Sequence, residues 1–213
     1  GRGEHEESRS RTLETVLEVP KRGTAPYFTE YVRRILEKED TALGINIYRD
    51  GLKIFTTIDS RLQNIGEESV RNHMKNLQKE FFRQNTKRYN KTAPFLDLRR
   101  GQIDTLLERT AYRSRRWKNK ANAGWEKEKI LENFRKPTSM SVFSWKGEID
   151  TIMSPLDSIR YYKYFLRSSM MSMEPQTGHV KVWVGGYDYK HFQYDQVKQG
   201  RRQIGSTFKP FLY

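Results

Sequence analysis

The 213-residue chain carries 40 Lys and Arg against 26 Asp and Glu, a net charge of +14, and only 35% of its residues are hydrophobic. That apolar fraction is thin for a well-packed domain of this length, and the excess charge favours an anionic neighbour. No run of about 18 apolar residues exists to cross a membrane, the amino terminus has no signal-peptide core, and the absence of cysteine excludes disulfides and cysteine-based zinc sites.

Residues 1–25 open as a polar leader without periodicity, interrupted by a brief apolar patch at Leu13, Val16, Leu17 and Val19. From Ala25 to Leu36 the spacing predicts a helix with Phe28, Tyr31, Val32, Ile35 and Leu36 on one stripe. Gly51–Asp59 alternates apolar and polar positions and reads as a strand. Ser60 and Gln63 then form a capping-box pattern, opening a helix with Leu62, Ile65, Val70, Met74 and Leu77 on its inner face. Residues 26–70 are therefore expected to form a strand-helix linker unit.

Residues 71–168 differ in charge. Between 71 and 137 there are 19 basic and 7 acidic residues, a net of +12 (19 − 7), nearly the whole excess of the chain. Helices are predicted around Gln102–Lys118 and Trp125–Phe134, with a turn over Asn119–Gly124. Aromatics punctuate the charge at Phe81, Phe82, Tyr89, Tyr112, Trp117, Trp125 and Phe134. This basic helical insertion reads either as a surface for an anionic partner or as a solvated helical hairpin whose aromatics pack on one another. A nucleic-acid-binding reading has charge and aromatics in its favour. No RNP-like sequence, zinc-finger spacing or helix-turn-helix accompanies them, so nucleic acid is not expected.

A hairpin is predicted over Thr138–Ser154, and Ser154-Pro155-Leu156-Asp157 opens a connecting helix, with serine as cap and proline in the first turn. The four histidines, His5, His73, His179 and His191, have no ligand spacing, so neither metal nor cofactor is expected.

Residues 169–213 carry the candidate chemistry. Met170 to Gly186 reads as strand, Pro/Gly turn, strand, and about 20 residues later comes Gly205-Ser206-Thr207-Phe208-Lys209-Pro210. Ser-x-x-Lys is used by serine acyl-transfer enzymes that lack a catalytic histidine, since positions i and i+3 share a helix face. Pro210, without an N–H, is expected in the first helical turn, which puts Ser206 at or just before it. Gly205 would let a substrate backbone approach closely.

Taken together, the motifs resemble the class A penicillin-binding proteins. Ala25-Pro26-Tyr27-Phe28 followed by Tyr31-Val32-Arg33, and Thr56-Thr57-Ile58 followed by a Leu62-Gln63 helix, are similar to that family's interdomain linker. Pro175-Gln176-Thr177-Gly178, Gly185-Gly186 and Arg202-Gln203-Ile204-Gly205-Ser206 through Phe211 are similar to the opening of its transpeptidase domain. Ile204 stands where the family usually has proline, and Asp195 where it often has asparagine.

The resemblance implies an α+β fragment of a penicillin-binding, serine β-lactamase-like fold: linker 26–70, insertion 71–168, and the truncated amino-terminal part of a transpeptidase domain, 169–213. It implies Ser206 as nucleophile, Lys209 as its proton acceptor or orienting cation, and Gly205 and Thr207 as substrate-binding residues. The implied partners are peptidoglycan stem peptides and β-lactams, with an anionic surface or cell-envelope partner for residues 71–137. The implied location is the outer face of a bacterial inner membrane, anchored by a segment outside this sequence. The family's Ser-x-Asn and Lys-Thr/Ser-Gly elements lie downstream of the nucleophile and are absent after Ser206. The 213 residues alone are thus expected to be inactive, in a protein that also carries an upstream glycosyltransferase.

Overall fold

A computed structural model describes residues 23–85, 92–95 and 97–213, without the side chains of 40–43. The leader up to residue 22, with its apolar patch, and Tyr89 lie outside the described residues. The architecture is α+β: helices surrounding two separate antiparallel hairpins.

Helix α1 spans Pro26–Leu43 and α2 spans Ser60–Gln84. The cap of α2 is Asp59 rather than Ser60. Its Oδ1 accepts from the N–H of Arg61 at 2.9 Å and of Leu62 at 3.1 Å, satisfying donors that the first turn leaves free. Gln63, expected to close a capping box, is fully buried elsewhere. The buried stripe of α2 is Gln63, Gly66, Val70, Met74 and Gln78, while Leu62, Ile65 and Leu77 are 45%, 61% and 43% exposed. Gly66 accounts for the rotation. A Cβ there would lie 2.8 Å from Val182 Cγ1, so the helix approaches the sheet along its glycine.

The stretch Gly51–Asp59, expected as a strand, forms no strand and joins no sheet of the described residues. Only its end touches a strand: Thr57 Oγ1 donates to Val180 O at 2.8 Å and the Asp59 N–H to Lys181 O at 3.1 Å. Further along that edge the ladder positions are filled by a side-chain amide, described below.

The predicted helix over 102–118 is two helices, α3 (Arg100–Arg113) and α4 (Arg115–Asn122), followed by α5 (Lys127–Arg135). Ser114 breaks the run. It takes extended dihedrals, donates its hydroxyl to Ala111 O at 2.6 Å and accepts from the Trp117 N–H at 3.2 Å, so one helix ends and the next is capped at the same residue. Because α4 continues to Asn122, the turn begins later than expected, with Gly124 at φ +77°.

Strands β1 (Thr138–Ser144) and β2 (Gly147–Met153) pair antiparallel, and Ser154 caps α6 (Pro155–Lys163) by accepting from the Asp157 N–H at 3.1 Å. Strands β3 (Met170–Met173) and β4 (Val180–Val184) form the second hairpin, with a register shift between Ser172 and Met173. A short α7 (Gln196–Gln199) and a 3₁₀ helix (Gly205–Phe211) follow.

Two cores result. The larger joins Val70 and Met74 of α2, Phe143 of β1, Phe165, Val182 and Val184 of β4, and the 187–192 loop. The smaller packs Ala111, Trp117, Ile130 and Phe134 of α3–α5. Helix α6 spans both, with Leu156 and Ile159 against the small core and Tyr161 and Tyr162 against the large one.

Candidate active site

The β3–β4 hairpin sets the frame for the candidate residues. Side chains alternate across a strand, so Val182 and Val184 of β4 meet α2 while Trp183 meets α1. Tyr31 stacks on the Trp183 indole with centroids 5.1 Å apart and ring planes 13° from parallel. On the strand's backbone, buried Gln63 uses both ends of its amide. Its Oε1 accepts from the Trp183 N–H at 2.7 Å and its Nε2 donates to Trp183 O at 3.0 Å, standing in for a neighbouring strand. Gln78 repeats the device one helix length on, accepting from the Leu166 N–H and donating to Tyr164 O, both at 2.8 Å.

Gly185 and Gly186 follow β4. A Cβ on Gly185 would lie 2.7 Å from the Tyr27 ring and 2.5 Å from Asp195 Oδ1, and one on Gly186 would lie 2.5 Å from the Tyr27 hydroxyl oxygen. The glycine pair thus makes room for a buried tyrosine crossing from α1. Tyr27 donates to Phe192 O at 2.6 Å, and burial together with the nearby Asp188 carboxylate pushes its phenol pKa well above the usual range. Asp195 is itself buried. One oxygen accepts from the Trp183 indole N–H at 3.0 Å, the other from the Val197 N–H at 2.9 Å, capping α7. A carboxylate supplies both acceptors, where an asparagine amide would supply only one.

The chain then reaches the 3₁₀ helix, where residues 200–213 are exposed. Gly205 takes φ +52°, a left-handed conformation that suits glycine. Ser206 is the second residue of the helix and Lys209 the fifth. At three residues per turn, positions i and i+3 eclipse, so the hydroxyl and the amine stand on one side, a turn apart. Thr207, expected to face substrate, locks the turn: its hydroxyl donates to Ile204 O at 2.5 Å and its N–H to the same oxygen at 3.2 Å. The N–H groups of Gly205 and Ser206 precede any intrahelical acceptor and are available to an anion.

Pro210 is not in the first turn, as the sequence suggested, but sixth of seven residues. The helix tolerates it because the N–H groups of Leu212 and Tyr213 both reach back to Lys209 O, at 2.9 and 3.2 Å, past the missing donor. Among the described residues, neither the Ser206 hydroxyl nor the Lys209 amine bonds to another side chain. Sequence reasoning passed over Gln78 and named Gln63 and Tyr27 only within motifs, without the buried bonds by which they hold the frame. The available signal was the spacing 63, 66, 70, 74, 78, invisible while only apolar residues are counted.

Residues 90–166 match the family model of the penicillin-binding protein middle domain, a range inside the stretch read above as a basic insertion. In an alignment of 223 positions that covers 99% of this chain, the sequence is 27% identical to penicillin-binding protein 1A of Aquifex aeolicus. Proteins of the same name from Rickettsia bellii and Neisseria gonorrhoeae are 29% and 26% identical over 89% of the chain. The match to the middle-domain model lies ahead of the Ser-x-x-Lys turn. Together with similarity along 89–99% of the chain, it supports a fragment of a class A penicillin-binding protein. The chain spans about a quarter of the length of these relatives, which it covers to 28%, 25% and 26%.

Proposed function

We propose that this chain contributes the nucleophile segment of a D,D-transpeptidase that cross-links peptidoglycan, in a bacterial envelope protein that also carries a glycosyltransferase. The observation that carries the reading is the placement of Ser206 and Lys209 three residues apart on one exposed 3₁₀ turn, about 20 residues after a hairpin whose backbone Gln63 bonds. Ser206 Oγ attacks the carbonyl of a D-alanyl-D-alanine stem peptide. The C–N bond breaks, D-alanine leaves with a proton, and an acyl-enzyme ester remains. An amine of a second stem peptide then takes the acyl group, restoring the serine hydroxyl. Lys209 is the group placed to receive the Ser206 proton. A lysine amine acts as a base only where its surroundings desolvate it or set a cation beside it, which other parts of the protein would supply. A β-lactam opens its ring on the same serine. Gly205 serves by its conformation and Thr207 by fixing the turn that aims Ser206.

The test is covalent labelling by a fluorescent penicillin of the protein at the full length of its relatives. Ser206→Ala abolishes labelling without loss of folding, and Lys209→Ala slows acylation by about 10² or more, as expected for a group acting on proton transfer. Stoichiometric labelling of Ser206→Ala would assign the nucleophile elsewhere.

A further inference from the structure

Helix α4 is eight residues long and contains four cations, Arg115, Arg116, Lys118 and Lys120, and no acid. Trp117 is its one buried side chain, held by Tyr112 at 4.4 Å and Phe134 at 5.5 Å between ring centroids. The helix is therefore fastened at a single point and turns its charge outward. Arg115 and Arg116 occupy the first turn, at the positive end of the helix dipole, where charge of that sign lowers helix stability. Arg113 precedes them on α3, and Lys127 and Lys129 follow on α5. Across 113–129 there are seven basic and two acidic residues, a net of +5 (7 − 2). None of the seven stands in an ion pair among the described residues. At their centre Trp125 is 36% exposed, with Lys120 Nζ 3.9 Å and Lys129 Nζ 5.1 Å from its ring.

We propose that α4 and the α4–α5 turn form a docking surface for the anionic headgroups of a phospholipid bilayer. Unneutralised cations placed against the local helix dipole call for an external counter-charge. The shape favours a broad surface over a small anion: five cavities of about 340–500 Å³ on the molecule are lined by none of α4, Trp125, Lys127 or Lys129. The aromatic chemistry separates a bilayer from nucleic acid or glycan. Two ammonium groups lie over the indole, where a base or sugar ring would have to stack. The indole rim stays exposed, and a tryptophan with an apolar body and a polar N–H is favoured at a membrane interface. Contact through this surface is independent of Ser206 chemistry.

The experiment is co-sedimentation of the 213-residue chain with vesicles of phosphatidylglycerol and phosphatidylcholine in equal parts, against vesicles of phosphatidylcholine alone. Binding to the anionic vesicles only is expected, falling steeply with added salt because screening acts over about 8–10 Å. Each basic residue near such a surface is worth about fivefold in affinity, so R116E/K118E weakens binding by about 25-fold or more. Helicity is preserved in that variant, since a glutamate in the first turn of α4 suits the dipole. K53E/K75E changes the net charge equally on exposed residues outside the surface and causes a much smaller loss. Trp125→Ala weakens binding at every salt concentration. Equal binding to neutral vesicles, equal losses in the two double variants, or tighter binding to DNA or isolated sacculi than to anionic vesicles would overturn the proposal.

Discussion

The body built on α1, α2 and β4 and helix α4 of the helical unit α3–α5 treat charge in opposite ways. In the first, Arg33 pairs with Glu30 and Glu37, Arg34 with Glu30, Arg61 with Asp59, and Arg83 with Glu80. Its buried polar groups, Gln63, Gln78 and Asp195, are each bonded at both side-chain heteroatoms. In the second unit, α4 carries four cations with no ion-pair partner among the described residues, anchored by one tryptophan. Where the chain must hold the hairpin that leads to Ser206, polar groups are satisfied internally. Where it does not, charge is left for something outside the molecule. The lesson is that net charge alone says little. What distinguishes α4 is that none of its cations has a local acid, whereas neighbouring α5 keeps the pair Arg135–Glu108.

The comparison can be broken most forcefully through the large core. Phe143 is 3% exposed and its ring meets Trp145, Phe165, Tyr187 and Phe192 at 5.1–5.8 Å. Phe143→Ala is expected to lower stability by about 3–5 kcal/mol in urea unfolding, with the β1–β2 hairpin and the α2 body failing together. Early loss of the hairpin alone would show that the regions are not joined through this ring.

A smaller effect is expected from Gln63→Ala, which strips two partners from the Trp183 backbone. Leaving buried backbone groups unpaired costs about 1–3 kcal/mol each at most, and faster hydrogen exchange should appear at the Trp183 amide first. Unchanged exchange there would mean that water or another group substitutes for the amide.

The smallest effect sharpens the contrast directly. Arg33→Ala breaks a half-exposed cluster whose hydrogen bond to Glu30 holds that carboxyl at about 2, well below its ordinary value. It should lower stability slightly at low salt and less at high salt. Glu30's folded pKa is depressed, so this contribution is present above the ordinary carboxylate pKa and disappears as pH falls from about 4.5 towards 2. Arg116→Ala, with no acid to lose, should leave stability within about 0.5 kcal/mol or raise it slightly. Equal losses for the two arginines would erase the distinction between the regions.

Local chemistry by itself determined a helix over Ala25–Leu36, which the structure carries on to Leu43, the two hairpins, the Ser154 cap and the Ser206–Lys209 spacing. Each depends on residues a few positions apart, and the residues write such rules plainly. Tertiary structure decided the rest. Gly51–Asp59 alternates like a strand, yet strand identity needs a partner, and Gln63 and Asp59 already occupy that part of the β4 edge. The inner face of α2 was set by the close approach of Gly66 to Val182, which turned Leu62 and Ile65 outward and two glutamines inward. The break at Ser114 followed from a hydroxyl that serves two helices and from the burial of Trp117. Gly185 and Gly186 were visible as a motif, but their reason, the ring of Tyr27 arriving from about 160 residues earlier, exists only once distant segments meet.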